Sequence, residues 1–331
     1  METPGSGQAE QFSENRLSVG ITYRIAREDD LSAMRLVQSK SLYDLLVTRG
    51  RTNPAGIPIT DEPSTEMRLV LRTDPKLSWI AIEDGRPIGF SVGYVRGELW
   101  FLSDLFVLPE AQGKGVGAEL LNRCLAGGLE RGARIRAVAS SHDNSARVLY
   151  IRAGMAPRFP AITLQGAARA LIDLPAAIAK VRQVEPSKVS IRGLGDLDET
   201  IWGHRRAAEH RFWLDEYKFT CLAITDKSGA MLGYAYYSNA ASRPPWDCVP
   251  RRIGPLAART TRVQLSLLRA IGDAFGRDAD DRVEVQIPGI NMSALTALLG
   301  AGFKIDHVGQ FMSSRTFGKF DRYVPSGGTL L

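Results

Sequence analysis

Residues 99–117 read LWFLSDLFVLPEAQGKGVG, and this stretch decides how the chain is read. Leu99 to Leu108 is nearly all apolar and is interrupted only at Ser103 and Asp104. A continuous run, as opposed to a strict alternation, is the pattern of a strand covered on both faces. Pro109 stops it. Gly113, Gly115 and Gly117 then alternate with other residues. Val116, Leu120, Leu121, Cys124 and Leu125 recur at helical spacing until Gly127-Gly128, which reads as the end of the helix. Strand, glycine-rich turn and helix together present unpaired backbone N–H groups and a positive helix end, an arrangement suited to phosphate. The same glycines also suit a tight turn that holds nothing.

A second segment adds to this. Ala133 to Ala139 reads as another strand, and a short helix follows from Asn144 through Tyr150 to a stop at Gly154, capped by Asp143 or Asn144. Ala146 and Tyr150 share one face of it. Together the two segments resemble the GNAT superfamily of acyl-CoA-dependent N-acyltransferases. The family signature Q/R-x-x-G-x-G/A stands here as Gln112-Gly113-Lys114-Gly115-Val116-Gly117, preceded by LFVLPE and followed by N-x-A-x-x-x-Y and then A-G-M. A Walker A loop is disfavoured, because Gly113-Lys114 is followed by Gly115 and not by Ser or Thr. A dinucleotide-binding G-x-G-x-x-G is disfavoured because the third glycine comes one position early.

The resemblance implies an α/β fold, a mixed and mostly antiparallel twisted sheet flanked by helices. It also implies an N-acetyltransferase in which an amine attacks acetyl-CoA directly in a ternary complex, with no metal. Backbone groups from Gln112 to Ala118 (Gln112, Gly113, Lys114, Gly115, Val116, Gly117, Ala118) would hold the diphosphate, with Lys114 either adding charge or solvated. Leu105, Phe106 and Val107 would supply backbone partners to the pantetheine arm, the amide near Leu105 would polarise the thioester carbonyl, and Asn144 would hold the cofactor from the second strand's end. Tyr150 matches the family's tyrosine and would protonate the leaving thiolate; the plainer role is a core residue with a paired hydroxyl. Asp104 is the one charged residue in an apolar run. A buried carboxylate requires a partner, so it reads either as base or anchor for the cationic acceptor, or as a group bonded to nearby backbone. Glu98, Glu83 and His142 are alternates. The acceptor cleft would come from Leu31 to Leu77, including Tyr43, Arg49, Arg51 and the loop Asn53 to Pro63, with the arginines pointing to a carboxylate-bearing acceptor or simply solvated.

The remaining features are bounded by composition. The chain has 331 residues, 44% hydrophobic and 24% charged, with a net charge of +6. Two domains are expected from the length. The basic residues are scattered, so no nucleic-acid partner is expected, and Arg251-Arg252 and Asp278, Asp280 and Asp281 read as solvated loop charges. No apolar run reaches the roughly 20 residues that span a bilayer, so no membrane partner is expected. Cys124, Cys221 and Cys248 are far apart, fit a reducing cytoplasm and lack metal spacing. His204, His210 and His307 form no ligand set. The partner is expected to be a small-molecule or protein amine, and the assembly a monomer or homodimer. The competing reading is a non-catalytic acyl-CoA sensor or interaction module; a longer acyl group or an oxygen acceptor is a further one.

The chain also repeats. Trp79 to Ser91 and Cys221 to Ala235 both read as hairpins, Ile25 before Asp30-Leu31 is echoed by Ile191 before Asp196-Leu197, and the Asn144 helix is echoed by Asn291, Ser293, Ala294 and Ala301-Gly302-Phe303. The expected organisation is a leader over 1–20, an acetyl-CoA-binding catalytic domain over 21–180 and a degenerate copy over 181–331. In that copy Arg252 to Arg259 occupies the place of the glycine turn and Leu298 stands opposite Tyr150. Leu164 to Val184 is read as a helical connector.

Overall fold

The structure, a computed structural model, describes residues 20–48, 59–141, 143–175, 181–184, 191–238, 251–276 and 282–331. β1 (Thr22–Ile25) leads to α1 (Leu31–Thr48), α2 (Thr65–Thr73), β2 (Ser78–Glu83), β3 (Arg86–Arg96), β4 (Leu99–Val107), α3 (Val116–Glu130), β5 (Ile135–Ser140), α4 (Asn144–Arg152) and β6 (Ala156–Ala167). The same order then returns: β7 (Arg182–Val184), α5 (Ile191–Ile201), α6 (Ala207–Arg211), β8 (Thr220–Thr225), β9 (Met231–Tyr237), β10 (Arg251–Ala258), α7 (Thr261–Phe275), β11 (Arg282–Pro288), α8 (Met292–Gly300) and β12 (Lys304–Ser313), with a short β13 (Tyr323–Val324) after it.

Local chemistry sets the elements around the glycine turn. The β2–β3 hairpin turns at Asp84 and Gly85, whose φ values of 50° and 75° suit a two-residue type I′ turn. Asp143 caps α4, accepting from the N–H groups of Ser145 at 2.8 Å and Ala146 at 3.3 Å. The helix closes as a Schellman motif on Gly154, with Met155 N–H donating to Tyr150 C=O at 3.0 Å and Gly154 N–H to Ile151 C=O at 2.9 Å. Contrary to expectation, α3 continues through Gly127-Gly128 to Glu130. A Cβ on Gly128 would lie 2.3 Å from the Trp100 ring, and one on Gly127 2.8 Å from the Leu77 side chain. The glycine pair therefore lets α3 lie close on the sheet; it does not break the helix.

The thirteen strands of the described residues form one sheet, in the order β1-β2-β3-β4-β5-β12-β6-β11-β10-β9-β8-β7 with β13 beside β10. Pairing is antiparallel except for β4–β5 and β10–β11. The two halves exchange their last strands. β12 pairs with β5 (Phe311 opposite Ala139), β6 pairs with β11 (Thr163 opposite Gln286), and β12 and β6 pair with each other (His307 opposite Thr163). One apolar core is likewise common to both halves: Phe90, Phe101 and Tyr94 pack in the same cluster as Trp202, Trp213, Tyr234 and Phe320. Cys124 and Cys221 are both buried.

Four expectations from the sequence are corrected by the structure. The segment after Leu164 is not a helical connector: β6 runs to Ala167, a 3-10 turn covers Ala168–Asp173, and β7 follows at Arg182–Val184. Arg252 to Ala258 does not replace the glycine turn but is strand β10, equivalent to β4, and only Arg259 and Thr260 separate it from α7. The second half has no glycine turn at this position, and Thr260 caps the helix by accepting from Val263 N–H at 3.3 Å. Arg251 and Arg252 are accordingly strand residues, not loop charges. In the paired nine-residue helices α4 and α8, Asn291 matches the cap Asp143, not Asn144, while Leu298 does stand opposite Tyr150. Residues 1–19 of the expected leader, the boundary near 180, Cys248, and Asp278, Asp280 and Asp281 lie outside the described residues.

Candidate active site

β4 and β5 pair only from Leu99 opposite Ile135 to Leu102 opposite Val138. Beyond that point β4 continues to Val107 and β5 to Ser140 without pairing to each other. The cause lies at Ser103. Against β3, Val92 faces Asp104 but Gly93 faces Leu102, so Ser103 is a bulged extra residue, and a bulge bends its strand. The two strands splay into a cleft of about 300 Å³ that is bordered by Asp104, Leu105, Val107, Ala139, Asp143 and Tyr150.

Strand alternation decides which amides face the cleft. Leu108 N–H donates to Ile88 C=O at 2.9 Å, and the carbonyl of Phe106 lies over Gly89 on β3. Successive residues point their backbone groups to opposite edges, so Phe106 is committed to β3 while Leu105 and Val107 face the opening. All three expected backbone partners border the cleft, Leu105 and Val107 with their backbone groups toward the opening and Phe106 with its backbone turned to β3. The Val107 carbonyl is already engaged, accepting from Ser41 Oγ at 3.1 Å and from Gln112 Nε2 at 3.0 Å.

At the mouth of the cleft, Gly113 and Gly115 hold φ values of 79° and 83°, a conformation that strains any residue with a Cβ. Gly115 begins α3, and no side chain caps that end, so its first N–H groups point outward with the positive end of the helix. Gly113, Lys114 and Gly115 are exposed, Val116 is buried in the core with only its backbone at the turn, and Gly117 and Ala118 are half-buried on the first turn of α3. Lys114 Nζ lies 3.2 Å from Glu83. That pair occupies Glu83, one of the alternate bases, away from the cleft. Glu98, another alternate, precedes β4 at the far end and is paired with Arg134 at 3.3 Å and Arg315 at 3.0 Å. His142 lies outside the described residues. Asn144 is exposed and does not border the cleft; Asp143 stands there in its place.

Asp104 and Tyr150 do come together around the one cleft. Asp104 is 5% exposed. Its Oδ1 accepts from Gln38 Nε2 at 2.8 Å and its Oδ2 from Ser103 Oγ at 2.9 Å, so its partners are side chains and not neighbouring backbone. Burial, opposed by the Ser103 and Gln38 hydrogen bonds, lifts its carboxyl to about 6. Tyr150 is also buried, and its hydroxyl makes no hydrogen bond among the described residues. Burial, then the charges of Asp143 and Asp104, raise it above the ordinary phenol range. It therefore keeps its proton at neutral pH and has it to give.

The cleft shares Leu42, Leu45, Ala139 and Ser141 with a second chamber of about 700 Å³ between the two halves. Its floor is the polar face of the exchanged strands, where His307, Thr163 and Gln286 form one cross-strand row. Its other walls come from Arg35 and Gln38 on α1, from Glu66 on α2, and from the aromatic group Phe212, Trp213, Tyr217 and Phe219. Glu66 accepts from Tyr217 Oη at 2.6 Å and Ser64 Oγ at 2.8 Å, and Arg252 lies 3.9 Å from it. The segment Ser326 to Leu330 closes one side; Leu331 N–H donates to Tyr94 Oη at 3.1 Å, and the Leu331 carbonyl oxygen is held by Arg206. Tyr43 faces outward and lines neither cavity. Arg49 and Arg51 lie outside the described residues. The chamber residues of the second half carried no motif that sequence reasoning could detect, because they meet the site only through the strand exchange. Among the described residues, no group of three or more His, Cys, Asp or Glu is placed to hold a metal ion, and no helix is long and apolar enough to cross a membrane.

Residues 41–155 match the family model described as the acetyltransferase (GNAT) family. This chain contains a GNAT-family domain. That GNAT domain spans the splayed strands, the glycine turn and Tyr150. The whole chain superposes on a provisionally assigned acetyltransferase from Pyrococcus horikoshii with a TM-score of 0.71 at 16% identity, covering 98% of this chain and 100% of that one. A tandem GNAT protein from the clavulanic acid biosynthesis pathway gives a TM-score of 0.55 at 16% identity, over 89% and 98% of the two chains. A GCN5-related N-acetyltransferase from Kribbella flavida gives 0.55 at 14% identity, over 90% and 72%. At these identities the likeness is one of fold: a tandem GNAT architecture. No curated protein matches the chain by sequence.

Proposed function

We propose that the chain transfers an acetyl group from acetyl-CoA to an amine, with the cofactor in the cleft between β4 and β5 and the acceptor in the chamber between the halves. The observation that carries this reading is the convergence of four features on one cleft: strands that part, an uncapped helix start on two left-handed glycines, a buried phenol that keeps its proton, and a buried carboxylate near neutrality. Acetyl-CoA supplies the activated thioester. The N–H groups at the start of α3 bind its diphosphate, and the cleft-facing amides of Leu105 and Val107 bind and orient the arm and acyl carbonyl. Asp104 accepts a proton from the ammonium of the acceptor, and Tyr150 donates one toward the sulfur of the departing thiolate. We place the catalytic domain over residues 21–180 and the supporting copy over 181–331, in the cytoplasm.

Release of free thiol from acetyl-CoA against an amine panel tests the reaction; coenzyme A binding without thiol release would make the chain a sensor. Gly115→Glu should weaken coenzyme A binding, read by calorimetry, by at least about a hundredfold. It forces a Cβ into a left-handed conformation and sets a carboxylate against the diphosphate. Retained tight binding would remove the phosphate site from the glycine turn. Lys114→Ala should have a small effect, because that ammonium is already engaged by Glu83.

The pH dependence follows from Asp104. A base must be ionised, so kcat/KM should rise with pH through about 6 and level off above it. In Asp104→Asn that acid limb should vanish together with most of the rate, read from a pH profile at saturating acetyl-CoA. Because burial raises this carboxyl from its ordinary value of 3.8, its contribution to stability is full below that value and is lost as pH rises through about 6.

A further inference from the structure

Gln38 is where the acceptor chamber meets the reacting carboxylate. It stands on α1, is 8% exposed and borders the chamber, while its amide reaches Asp104, which borders the cleft. Its orientation is dictated from both sides. Arg35 Nη1 donates to Gln38 Oε1 at 2.6 Å, and Gln38 Nε2 donates to Asp104 Oδ1 at 2.8 Å. A flipped amide would set N–H groups against the guanidinium and an oxygen against the carboxylate, and a guanidinium has no acceptor. We propose that Gln38, locked by Arg35, is a positioning residue that keeps Asp104 ready to accept a proton from the amine, so that the wall of the acceptor chamber sets the state of the base.

The reason is directional. The amide offers Asp104 only donors. An ionised Oδ1 accepts that bond; an Oδ1 carrying a proton faces a second hydrogen and loses it. Ser103 adds the same preference at Oδ2. The opposing influences are burial and the Glu66 carboxylate on α2. The other ionisable groups around the carboxylate are Arg35 on α1, Tyr150 on α4, and Asp44 and Asp143 along the cleft. Arg35 acts on Asp104 in two ways, through the amide of Gln38 and directly as a nearby positive charge that favours the carboxylate. Sequence alone gives no sign of the relay, since Gln38 and Asp104 stand 66 positions apart.

This inference rests on Asp104 as the base, and its test has a readout that does not need turnover. Gln38→Met keeps the length and removes the donor. The midpoint of Asp104 titration, followed by carboxyl-labelled NMR on the full chain without substrate, should move up by about one pH unit. The acid limb of kcat/KM should move with it, while the KM for acetyl-CoA stays unchanged. Arg35→Met should move the midpoint in the same direction, and by less in the Gln38→Met background than with Gln38 in place, since the part relayed by the amide is gone and only the through-space charge remains. Gln38→Asn, too short to bridge both partners, should fail to restore the midpoint. An unmoved midpoint in Gln38→Met, or fully additive shifts in the double variant, overturns the proposal. A moved midpoint with no change in the rate profile leaves the relay standing and rejects Asp104 as the base.

Discussion

Tyr150→Phe should lower kcat by about two to three orders of magnitude while leaving the KM for acetyl-CoA and the melting temperature nearly unchanged. The separation of these readouts follows from where the hydroxyl sits. The ring packs with Trp100, Leu121 and Met155, and phenylalanine preserves that packing. The hydroxyl has no hydrogen-bond partner among the described residues, so its removal leaves no group of the protein unpaired. What disappears is a proton held above the ordinary phenol range by burial and by the Asp143 and Asp104 charges, in the wall of the cleft. A structural tyrosine would give the opposite pattern, with lost stability and unchanged turnover. A fall in kcat of less than about fivefold would assign the proton donor to water.

Expression of residues 1–175 alone should give aggregated protein with no coenzyme A binding, although this fragment holds the whole glycine turn, Asp104 and Tyr150. Without β12, the facing edges of β5 and β6 lose their common neighbour, and β6 also loses β11 along seven register positions. Bare strand edges are templates for aggregation. The shared core opens as well, since Phe90, Tyr94 and Phe101 lose Trp213, Tyr234 and Phe320 from their cluster. Co-expression with residues 181–331 should restore solubility, because the exchanged strands can pair between separate chains. Size-exclusion chromatography and near-UV circular dichroism check both outcomes. A monomeric, folded fragment that binds coenzyme A would show that the GNAT domain carries its own closing strand.

The site divides into a part visible in the chain and a part hidden from it. Local patterns announced β4, the glycine turn, the short helix ending at Gly154, and Tyr150 as the residue without a counterpart at Leu298. Each depends on neighbours within a few positions: an apolar run, a left-handed glycine, a cap, a face. They also announced a repeat. The same local logic misjudged Gly127-Gly128, since a glycine pair looks like a helix stop unless the Trp100 and Leu77 side chains beneath it are known.

What tertiary structure alone decided was how distant segments share a boundary. Asp104 looked like an anomaly in an apolar run, and only folding brought Gln38 and Arg35 to it. Phe106 looked equivalent to Leu105 and Val107 until the pairing with β3 assigned edges to their amides. The chamber is lined by Thr163, Gln286 and His307 because β6 and β12 changed places between the halves. Strand exchange leaves no mark in a sequence, since each exchanged strand satisfies the same backbone hydrogen bonds in either partner. The amino-acid order specifies the elements and the glycine turn, whereas the choice of neighbour, and with it the wall of the chamber between the halves, is settled by packing energy summed over the whole sheet.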